Sequence, residues 1–355
     1  MKNILLLLLF CVLISCKNEK SSNTYSYNLK ASEIIKSFVL DSDVKYNAFY
    51  LYTFSDDKGK EYLTFLNYRT NQILFYDLET TDFLFKLNLN SEGPHGVVQP
   101  TGLYVKDLNH IYVSSYVYSG LMRVDTTCHI IQKIPYGITS KGYNVLPSYT
   151  PSSHPYIAPV IIDKKIYITQ NAIDRFHPIV DTPLSVVIDT VQKSCEDLPL
   201  TYGILTEKEL AIKDPRFSRV FNGKEFIYSF YVSEDIVVTS VDHSEVKKIS
   251  VKSKYLDSPI VKQEVSERGP QLNLELARYG DLIYDPYREV YYRFVYPKTT
   301  LEDNIRWWGK SVYGRKKFSV IILNKDFQII GETLFPESIY LSLIHISEPT
   351  RHAQI

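Results

Sequence analysis

Alternating apolar and polar residues divide the stretch Glu61–Leu89 into three short β-strands. The predicted strands are Tyr62–Asn67, Gln72–Asp77 and Asp82–Leu89, and the breaks between them have the length of hairpin loops. The middle strand is apolar at odd and even positions alike, so both of its faces should be buried. The third strand alternates between apolar and polar residues and should form a half-exposed outer strand. A sheet of this kind buries both faces only between copies of itself, as in a β-propeller.

The same order of strand, turn, apolar strand and closing Asp or Asn recurs along the chain. The closing residues are Asp77, Asp125, Asp189, Asp242 and Asn324. Their intervals are near the length of a propeller blade, with two copies lengthened by insertions. A β-sandwich would also alternate strands and turns, but the recurrent order favours an all-β fold of the β-propeller type with five visible blades.

Two stretches interrupt the strand pattern and should connect blades. Thr206 and Glu209 fit a helix capping box, with Thr206 as N-cap. The stretch Gln271–Arg278 is compatible with either a short helix or a strand. Ahead of the first blade, Phe49–Phe54 reads as a strand that either begins that blade or closes the ring.

Composition excludes several classes of function. Forty basic residues balance forty acidic ones, so the chain carries no electrostatic footprint for nucleic acid. No metal-binding motif, Walker loop or nucleophile elbow is present, and the sequence predicts neither a metal nor a cofactor. Cys128 and Cys195 follow equivalent apolar strands, and a disulfide between them is compatible with an exported protein.

The N-terminal residues predict export and a lipid anchor. Residues 1–15 combine Lys2 with an apolar run too short to span a bilayer, as in a signal peptide. The box Leu13-Ile14-Ser15-Cys16 indicates a bacterial lipoprotein, in which Cys16 carries the lipid; the alternative is an ordinary secretory signal that contains a cysteine. Residues 16–37 then form a polar tether. We expect an outer-membrane lipoprotein, facing the periplasm or the medium.

The C-terminal residues break the strand rhythm. Leu341–Arg351 reads LSLIHISEPTR, which is the translation of the transposase adapter used in sequencing libraries. We therefore expect residues 341–355 to be a non-native tail and residues 38–340 to form the propeller domain, truncated in its last blade.

The lipoprotein box, the tyrosine-rich repeats and the loop Gly93-Pro94-His95-Gly96-Val97 together resemble a known group of proteins. The chain is similar to the uncharacterised six-bladed propeller lipoproteins of Bacteroidetes-type bacteria, with TolB-like or NHL-like propellers. The resemblance implies six blades in the natural protein. It implies no catalytic residues, because none is established for that group.

The strongest candidate site lies in the insertion of the fifth repeat. It contains Trp307 and Trp308, the two tryptophans of the chain, flanked by Arg306 and Lys310. Adjacent indoles in a polar loop suit stacking on a sugar ring or anchoring a partner. The alternative is that one tryptophan pins the insertion to its blade. Weaker candidates are the loop residues Arg175, His177 and His95.

Two classes of function remain open. The first is a monomeric binding or scaffold module for a glycan, a small ligand or a protein partner at the cell envelope. The second is a propeller hydrolase, lactonase or lyase with its site at the central channel. An enzyme should bring three or more acidic or histidine side chains together in the channel.

Overall fold

Five antiparallel sheets of four strands make up the described part of the chain. The computed structural model describes residues 27–30, 34, 36–40, 44, 51–67, 70–115, 117–118, 120–136, 138–139, 142, 157–170, 179–212, 216–256, 277–299 and 317–335. Each sheet consists of four strands that follow one another in the sequence. The sheets are the blades of a β-propeller, so the predicted all-β propeller fold is confirmed, with five blades among the described residues.

The first three blades have the following strands. Blade 1 contains β1 (Tyr52–Ser55), β2 (Glu61–Asn67), β3 (Gln72–Asp77) and β4 (Phe83–Asn88). Blade 2 contains β5 (Pro100–Asp107), β6 (His110–Ser115), β7 (Gly120–Val124) and β8 (Ile130–Pro135). Blade 3 contains β9 (Val160–Ile162), β10 (Lys165–Thr169), β11 (Ser185–Asp189) and β12 (Ser194–Asp197).

The last two blades are built in the same way. Blade 4 contains β13 (Phe217–Phe221), β14 (Phe226–Phe230), β15 (Asp235–Thr239) and β16 (Val246–Ser250). Blade 5 contains β17 (Arg278–Asp285), β18 (Val290–Tyr296), β19 (Phe318–Leu323) and β20 (Ile329–Phe335). Connecting segments add two 3-10 turns (Ile179–Asp181 and Tyr202–Ile204) and the short helix α1 (Glu207–Leu210).

The first strand of each blade is innermost and the fourth lies at the rim. Strand β1 contacts β5 across blades 1 and 2, and β13 contacts β17 across blades 4 and 5. By contrast, four of the five residues of the fourth strand β16 are exposed. The first strands therefore surround the centre of the ring.

Apolar side chains fill the spaces between neighbouring blades. In β3 the residues Ile73, Leu74, Phe75 and Tyr76 are all fully buried, as the apolar pattern at both parities predicts. Ile73 and Phe75 belong to the cluster shared with blade 2, whereas Leu74 and Tyr76 pack on the opposite face of blade 1. A middle strand packed on both faces is the reason for its continuous apolar run.

Blades 1 and 5 each have one apolar face that no other described blade shares. On blade 1 the ring of Phe38 meets Tyr76 edge to face, with ring centroids 5.7 Å apart. On blade 5 the side chain of Leu29 packs against the cluster that contains Tyr292 and Phe318. The N-terminal segment therefore contacts both end blades.

The same segment pairs with the outermost strand of blade 5. Tyr27 forms a parallel bridge with Gly331, and its N–H donates to the carbonyl of Ile330 at 3.2 Å. The N–H of Leu29 donates to Oγ1 of Thr333 at 2.7 Å. A Cβ at position 331 would lie 2.2 Å from the carbonyl oxygen of Tyr27, so this close approach requires glycine.

The closing Asp or Asn of each repeat shapes the turn after the third strand. Oδ1 of Asp77 accepts hydrogen bonds from the N–H groups of Glu79 and Thr80, both at 2.9 Å. Equivalent side-chain bonds to turn N–H groups are made by Asp125, Asp189, Asp242 and Asn324. Asp and Asn favour turns because the side chain satisfies these donors, which is why the repeat is visible in the sequence.

The predicted capping box is confirmed. Oγ1 of Thr206 accepts from the N–H of Glu209, and the Glu209 carboxylate accepts from the N–H of Thr206, at the start of α1. The stretch Gln271–Arg278 lies outside the described residues up to position 276, and Arg278 begins β17.

Two sequence-based expectations about strands and cysteines are resolved. The strand expected at Phe49–Phe54 lies outside the described residues at positions 49 and 50, and from Tyr52 it is β1, which pairs with β2 as the first strand of blade 1, so the ring-closing alternative for it is wrong. Cys128 and Cys195 are both free thiols, and the disulfide is not formed. Burial raises the pKa of the Cys195 thiol to about 12, because it disfavours the charged thiolate.

Candidate functional site

Strand order gives the described blades two unlike faces. In each blade, short turns of two to six residues join the first strand to the second and the third strand to the fourth. All of these turns lie at the same end of the sheets, here called the turn face. Connections from second to third strands and from blade to blade share the other end, here called the loop face. They include 136–159, 170–184, 251–277 and 297–317. All the long connections therefore begin and end on the loop face.

Most of the predicted site residues lie outside the described residues. This holds for the insertion residues Arg306, Trp307, Trp308 and Lys310, for Arg175 and His177, and for Cys16. In the sequence, Arg175 and His177 fall in the connection from β10 to β11, and the tryptophans fall in the connection from β18 to β19. Both connections start and finish on the loop face.

His95 lies at the outer edge of the boundary between blades 1 and 2. Its Nδ1 accepts a hydrogen bond from the N–H of Ile130 at 3.1 Å, and its ring centroid is 4.8 Å from that of His129. Ile130 begins the outermost strand β8, so this imidazole contacts the rim rather than the centre. The contact gives His95 a structural role in joining two blades.

A buried tyrosine–carboxylate pair lies on the loop face between blades 4 and 5. Tyr231 follows the end of β14, and its hydroxyl donates a hydrogen bond to Oδ1 of Asp281. Asp281 belongs to the innermost strand β17, where the pairing with β18 is irregular between Tyr279 and Leu282. Such an irregularity changes the direction in which a side chain leaves the strand, and the Asp281 carboxyl lies beside Tyr231.

Two guanidinium groups flank this pair. The Cζ atom of Arg216 lies 5.1 Å from the ring centroid of Tyr231, and that of Arg278 lies 5.5 Å from the same centroid. Arg278 also lies 5.3 Å from the ring centroid of Tyr296. Arg216 is exposed and Arg278 is half-buried. At this end of the sheets two guanidinium groups therefore lie over tyrosine rings, and the one on Arg216 is exposed.

The carboxyl of Asp281 has an unusual proton affinity. Burial raises the pKa of Asp281 to about 6, an effect that the hydrogen bond from Tyr231 and the charges of Arg278 and Arg216 reduce. The side chain is only 8% exposed. A carboxyl that titrates near neutral pH beside two guanidinium groups is a feature typical of functional sites.

A second buried polar cluster joins blades 3 and 4. Arg219 in β13 donates from Nη1 to Oγ of Ser185 at 2.8 Å, and its Cζ lies 4.9 Å from the ring centroid of Phe226. Ser185 Oγ lies 2.7 Å from the hydroxyl of Tyr228, which lies 2.5 Å from Nε2 of His243. All four residues of this hydrogen-bonded cluster are buried, and we therefore assign the cluster a structural role.

His243 lies in the turn between β15 and β16, yet its imidazole is buried. It is 1% exposed. Burial and, second, the charge of Arg219 lower the pKa of His243 to about 4, so the imidazole is neutral at physiological pH. No sequence pattern around His243 distinguishes it from the exposed histidines.

A third set of buried charges joins blades 4 and 5. The guanidinium of Arg293 lies 3.9 Å from the ring centroid of Tyr279, and its Nη2 donates to the carbonyl of Ser233 at 2.7 Å. The carboxylate of Glu332 accepts from Oγ of Ser319 at 2.8 Å and from the N–H of Lys254 at 2.9 Å. These bonds satisfy charges that burial would otherwise penalise.

The described residues contain no group of three or more His, Cys, Asp or Glu side chains that could hold a metal ion. Likewise, no helix in the described part of the chain is long and apolar enough to cross a membrane.

Sequence reasoning missed the residues Arg216, Tyr231, Arg278 and Asp281. Tyr231 and Asp281 are 50 positions apart, and each stands in a run that resembles other strand ends. The one available signal was an arginine at or next to the start of a first strand in both blade 4 and blade 5.

Comparisons with known proteins agree with this architecture. A family model described as a domain of unknown function (DUF4221) matches residues 26–334. A crystal structure of a DUF4221 member from Bacteroides vulgatus ATCC 8482 superimposes with a TM-score of 0.68, at 24% identity over 84% of each chain. No curated protein matches the chain in sequence.

A more distant structural neighbour comes from Bacteroides fragilis NCTC 9343, where it is described as a candidate exported protein. Its TM-score is 0.50, at 11% identity over 84% of this chain and 74% of the other. The likeness at this identity shows the fold alone. The family model spans most of the present chain, which therefore belongs to the DUF4221 family.

Proposed function

We propose that this protein is a lipid-anchored binding module of the cell envelope that holds a glycan, a small ligand or a protein partner on its loop face. The observation that carries this proposal is the difference between the two faces. The turn face is closed by short turns whose N–H groups bond to Asp or Asn side chains. The loop face carries the long connections and the cations at Arg216 and Arg278. Loops on a rigid scaffold are where binding residues concentrate.

The lipid anchor is a proposal from the sequence. Ten residues separate Cys16 from Tyr27, where the N-terminal segment reaches blade 5. An extended link of this length reaches about 35 Å, so lipidation of Cys16 would hold the propeller near the bilayer. Replacing Cys16 by alanine, or treating cells with globomycin, should make the precursor accumulate and should release the Cys16→Ala protein from membranes. Unchanged membrane partition of that variant would contradict the anchor.

We further propose that the natural ring has six blade positions, with the sixth between blades 5 and 1. Blades 1 and 2, 2 and 3, 3 and 4, and 4 and 5 each share one apolar cluster. The apolar faces of blade 1 around Tyr76 and of blade 5 around Phe318 instead belong to two separate clusters, which supports a further blade position between them. A structure of the natural full-length protein in which blades 1 and 5 pack directly together would contradict six positions.

The tryptophan pair offers a direct test of binding. Both indoles of the chain are at positions 307 and 308, so tryptophan fluorescence reports this connection alone. If the pair contacts ligand, Trp307→Ala or Trp308→Ala should weaken binding by about 2 kcal/mol or more and leave the melting temperature nearly unchanged. The probes are a panel of neutral and uronic-acid trisaccharides, titrated against wild type and both variants.

The opposite outcome is equally clear. If a tryptophan instead pins the insertion to blade 5, its truncation should cost about 3 kcal/mol or more of stability without a specific loss of binding. Turnover of a trisaccharide during the titration would favour the propeller-enzyme alternative over a binding module. The turn-face variant Tyr287→Ala, which removes a side chain that is 65% exposed, is the control for general surface effects.

A further inference from the structure

We propose that the N-terminal segment between Tyr27 and Leu40 is a membrane-contact surface, which lays the rim of the propeller on an anionic lipid bilayer. This inference rests on the lipid-anchored function proposed above. It goes beyond the anchor, because it names the protein surface that meets the bilayer and gives that surface an affinity of its own.

The N-terminal segment runs along the outside of the ring. The N–H of Tyr27 donates to the carbonyl of Ile330 at 3.2 Å, on the side of β20 that does not pair with β19. Further along, the ring of Phe38 meets that of Tyr76, whose centroid lies 5.4 Å from the ring of Phe83. Phe83 is the first residue of the rim strand β4. Both ends of the segment therefore contact the propeller towards its rim.

Apolar side chains are exposed in this segment to an unusual extent. The described part of the chain exposes 13 large hydrophobic residues, and four of them are in the N-terminal segment: Tyr27, Ile34, Val39 and Leu40. Val39 is 84% exposed, although its neighbour Phe38 packs on blade 1. Single exposed apolar residues are normal, whereas a concentration of them marks an interaction surface.

The start of the chain favours a lipid bilayer as the partner. Ten residues separate Cys16 from Tyr27. A lipid on Cys16 would therefore keep the N-terminal segment within about 35 Å of the bilayer. Tyrosine and aliphatic side chains next to lysines are typical of segments that lie in a membrane interface.

Charge points to the same partner. Residues 17–30 contain three lysines and one glutamate, and Lys30 is exposed. Such a segment is attracted to anionic headgroups. The chain as a whole is neutral, so a second copy of it offers these lysines no comparable attraction.

Contact through the rim leaves the loop face free. The rim strands β4 and β20 surround the ring, whereas the loop face lies at the ends of the sheets. A propeller that rests on its rim holds the loop face away from the bilayer, where a ligand can reach it. Without the lipid this contact is weak and reversible, so the anchor on Cys16 is still needed for stable attachment.

Vesicle flotation tests the surface in the protein from Lys17 onward. This form keeps every described residue and lacks both the apolar leader and Cys16. We expect it to bind vesicles of equimolar phosphatidylethanolamine and phosphatidylglycerol, and to bind phosphatidylcholine vesicles more weakly. The double variant Val39→Ser/Leu40→Ser should weaken binding to the anionic vesicles about tenfold or more, because two aliphatic side chains no longer enter the interface.

Two further variants and a control accompany this measurement. Ile34→Ser should also weaken binding, and it repeats the test at a separate position if the double variant melts earlier than wild type. Lys30→Gln should weaken binding about threefold, and only on the anionic vesicles. The matched control is Val117→Ser/Val191→Ser, which removes exposed valines from blades 2 and 3 and should change binding less than about twofold.

Each result decides between the bilayer and its rivals. Weaker binding in the segment variants with intact melting curves supports the surface. No vesicle binding by the protein from Lys17 onward, or an equal loss in the valine control, overturns it and leaves the anchor and the loop-face binding module standing, since neither is used in this assay.

Other occupants of the surface have their own signatures. A dimer in vesicle-free solution that Val39→Ser/Leu40→Ser converts to a monomer would assign the surface to a second copy of the chain. Vesicle binding by the present chain but not by the natural full-length protein would assign it to the missing blade. Either result overturns the inference.

Discussion

The hydroxyl of Tyr228 lies 2.5 Å from Nε2 of His243, and the other ring nitrogen of this histidine lies 3.1 Å from the carbonyl of Val241. A neutral imidazole fits both contacts, with Nδ1–H donating to Val241 and Nε2 accepting from Tyr228. A protonated ring would add a positive charge to a buried site close to the guanidinium of Arg219. The geometry and the lowered pKa of His243 therefore agree.

His243 should make the protein less stable in acid. Its pKa is about 4 in the folded protein against an ordinary 6.5, so the unfolded chain binds a proton first as pH falls. The stability that neutral His243 contributes is complete above pH 6.5 and is lost as pH falls toward 4, by about 3 kcal/mol in total. His243→Gln should remove this slope from melting curves measured across the window.

The half-buried histidine His110, the first residue of β6, supplies the control. His110→Gln should leave the acid slope as it is in wild type, since that imidazole is in contact with solvent. If His243→Gln retains the full slope, the neutral buried imidazole is not its source.

Asp281 should act in the opposite direction. Its folded pKa of about 6 exceeds the ordinary 3.8, so its contribution to stability is complete below pH 3.8 and is lost as pH rises through 6. Relative to Asp281→Asn, wild type should lose about 3 kcal/mol of stability across this window. Denaturant unfolding of both proteins at several pH values measures the difference. Asp326→Asn, in an exposed turn, should show no such change.

The seam between the N-terminal segment and blade 5 should depend on one glycine. Gly331→Ala places a methyl group against the carbonyl of Tyr27, where neither backbone has room. The variant should lose about 1–3 kcal/mol of stability and most of the exchange protection of the Tyr27 and Leu29 amides. Gly59→Ala is the control for exchange protection: its positive φ of 76° makes the substitution strained in its own right, but no atom lies within 4 Å of the added Cβ, so the Tyr27 and Leu29 amides should keep their protection even where overall stability falls. Unchanged protection in Gly331→Ala would show that the segment is held by other contacts.

The blades could be predicted from the sequence because their chemistry is local. Asp77 and Asn324 accept hydrogen bonds from backbone N–H groups two to four positions later in the sequence. Each turn is therefore recognisable from a few consecutive residues. The same is true of the capping box at Thr206 and Glu209. Strand order within a blade follows the chain, and no long-range information is needed to assign it.

The cluster of Arg216, Tyr231, Arg278 and Asp281 could not be predicted, because its members meet only after blades 4 and 5 pack. Asp281 contacts Tyr231 at an irregularity in β17, and the residue types in that strand do not predict this irregularity. His243 was likewise indistinguishable from surface histidines, since its burial depends on Tyr228 and on Ser185 from the preceding blade. Both depend on contacts between blades.

Hydrogen–deuterium exchange with and without a bound trisaccharide tests the central claim, binding on the loop face, most directly. The probe is whichever trisaccharide of the panel quenches tryptophan fluorescence. The account predicts protection of amides in the loop-face connections, including 231–234 and 251–277, with no change in the turns 222–225 and 286–289 on the turn face. Protection confined to the turn face, or no protection by any trisaccharide of the panel, would contradict it.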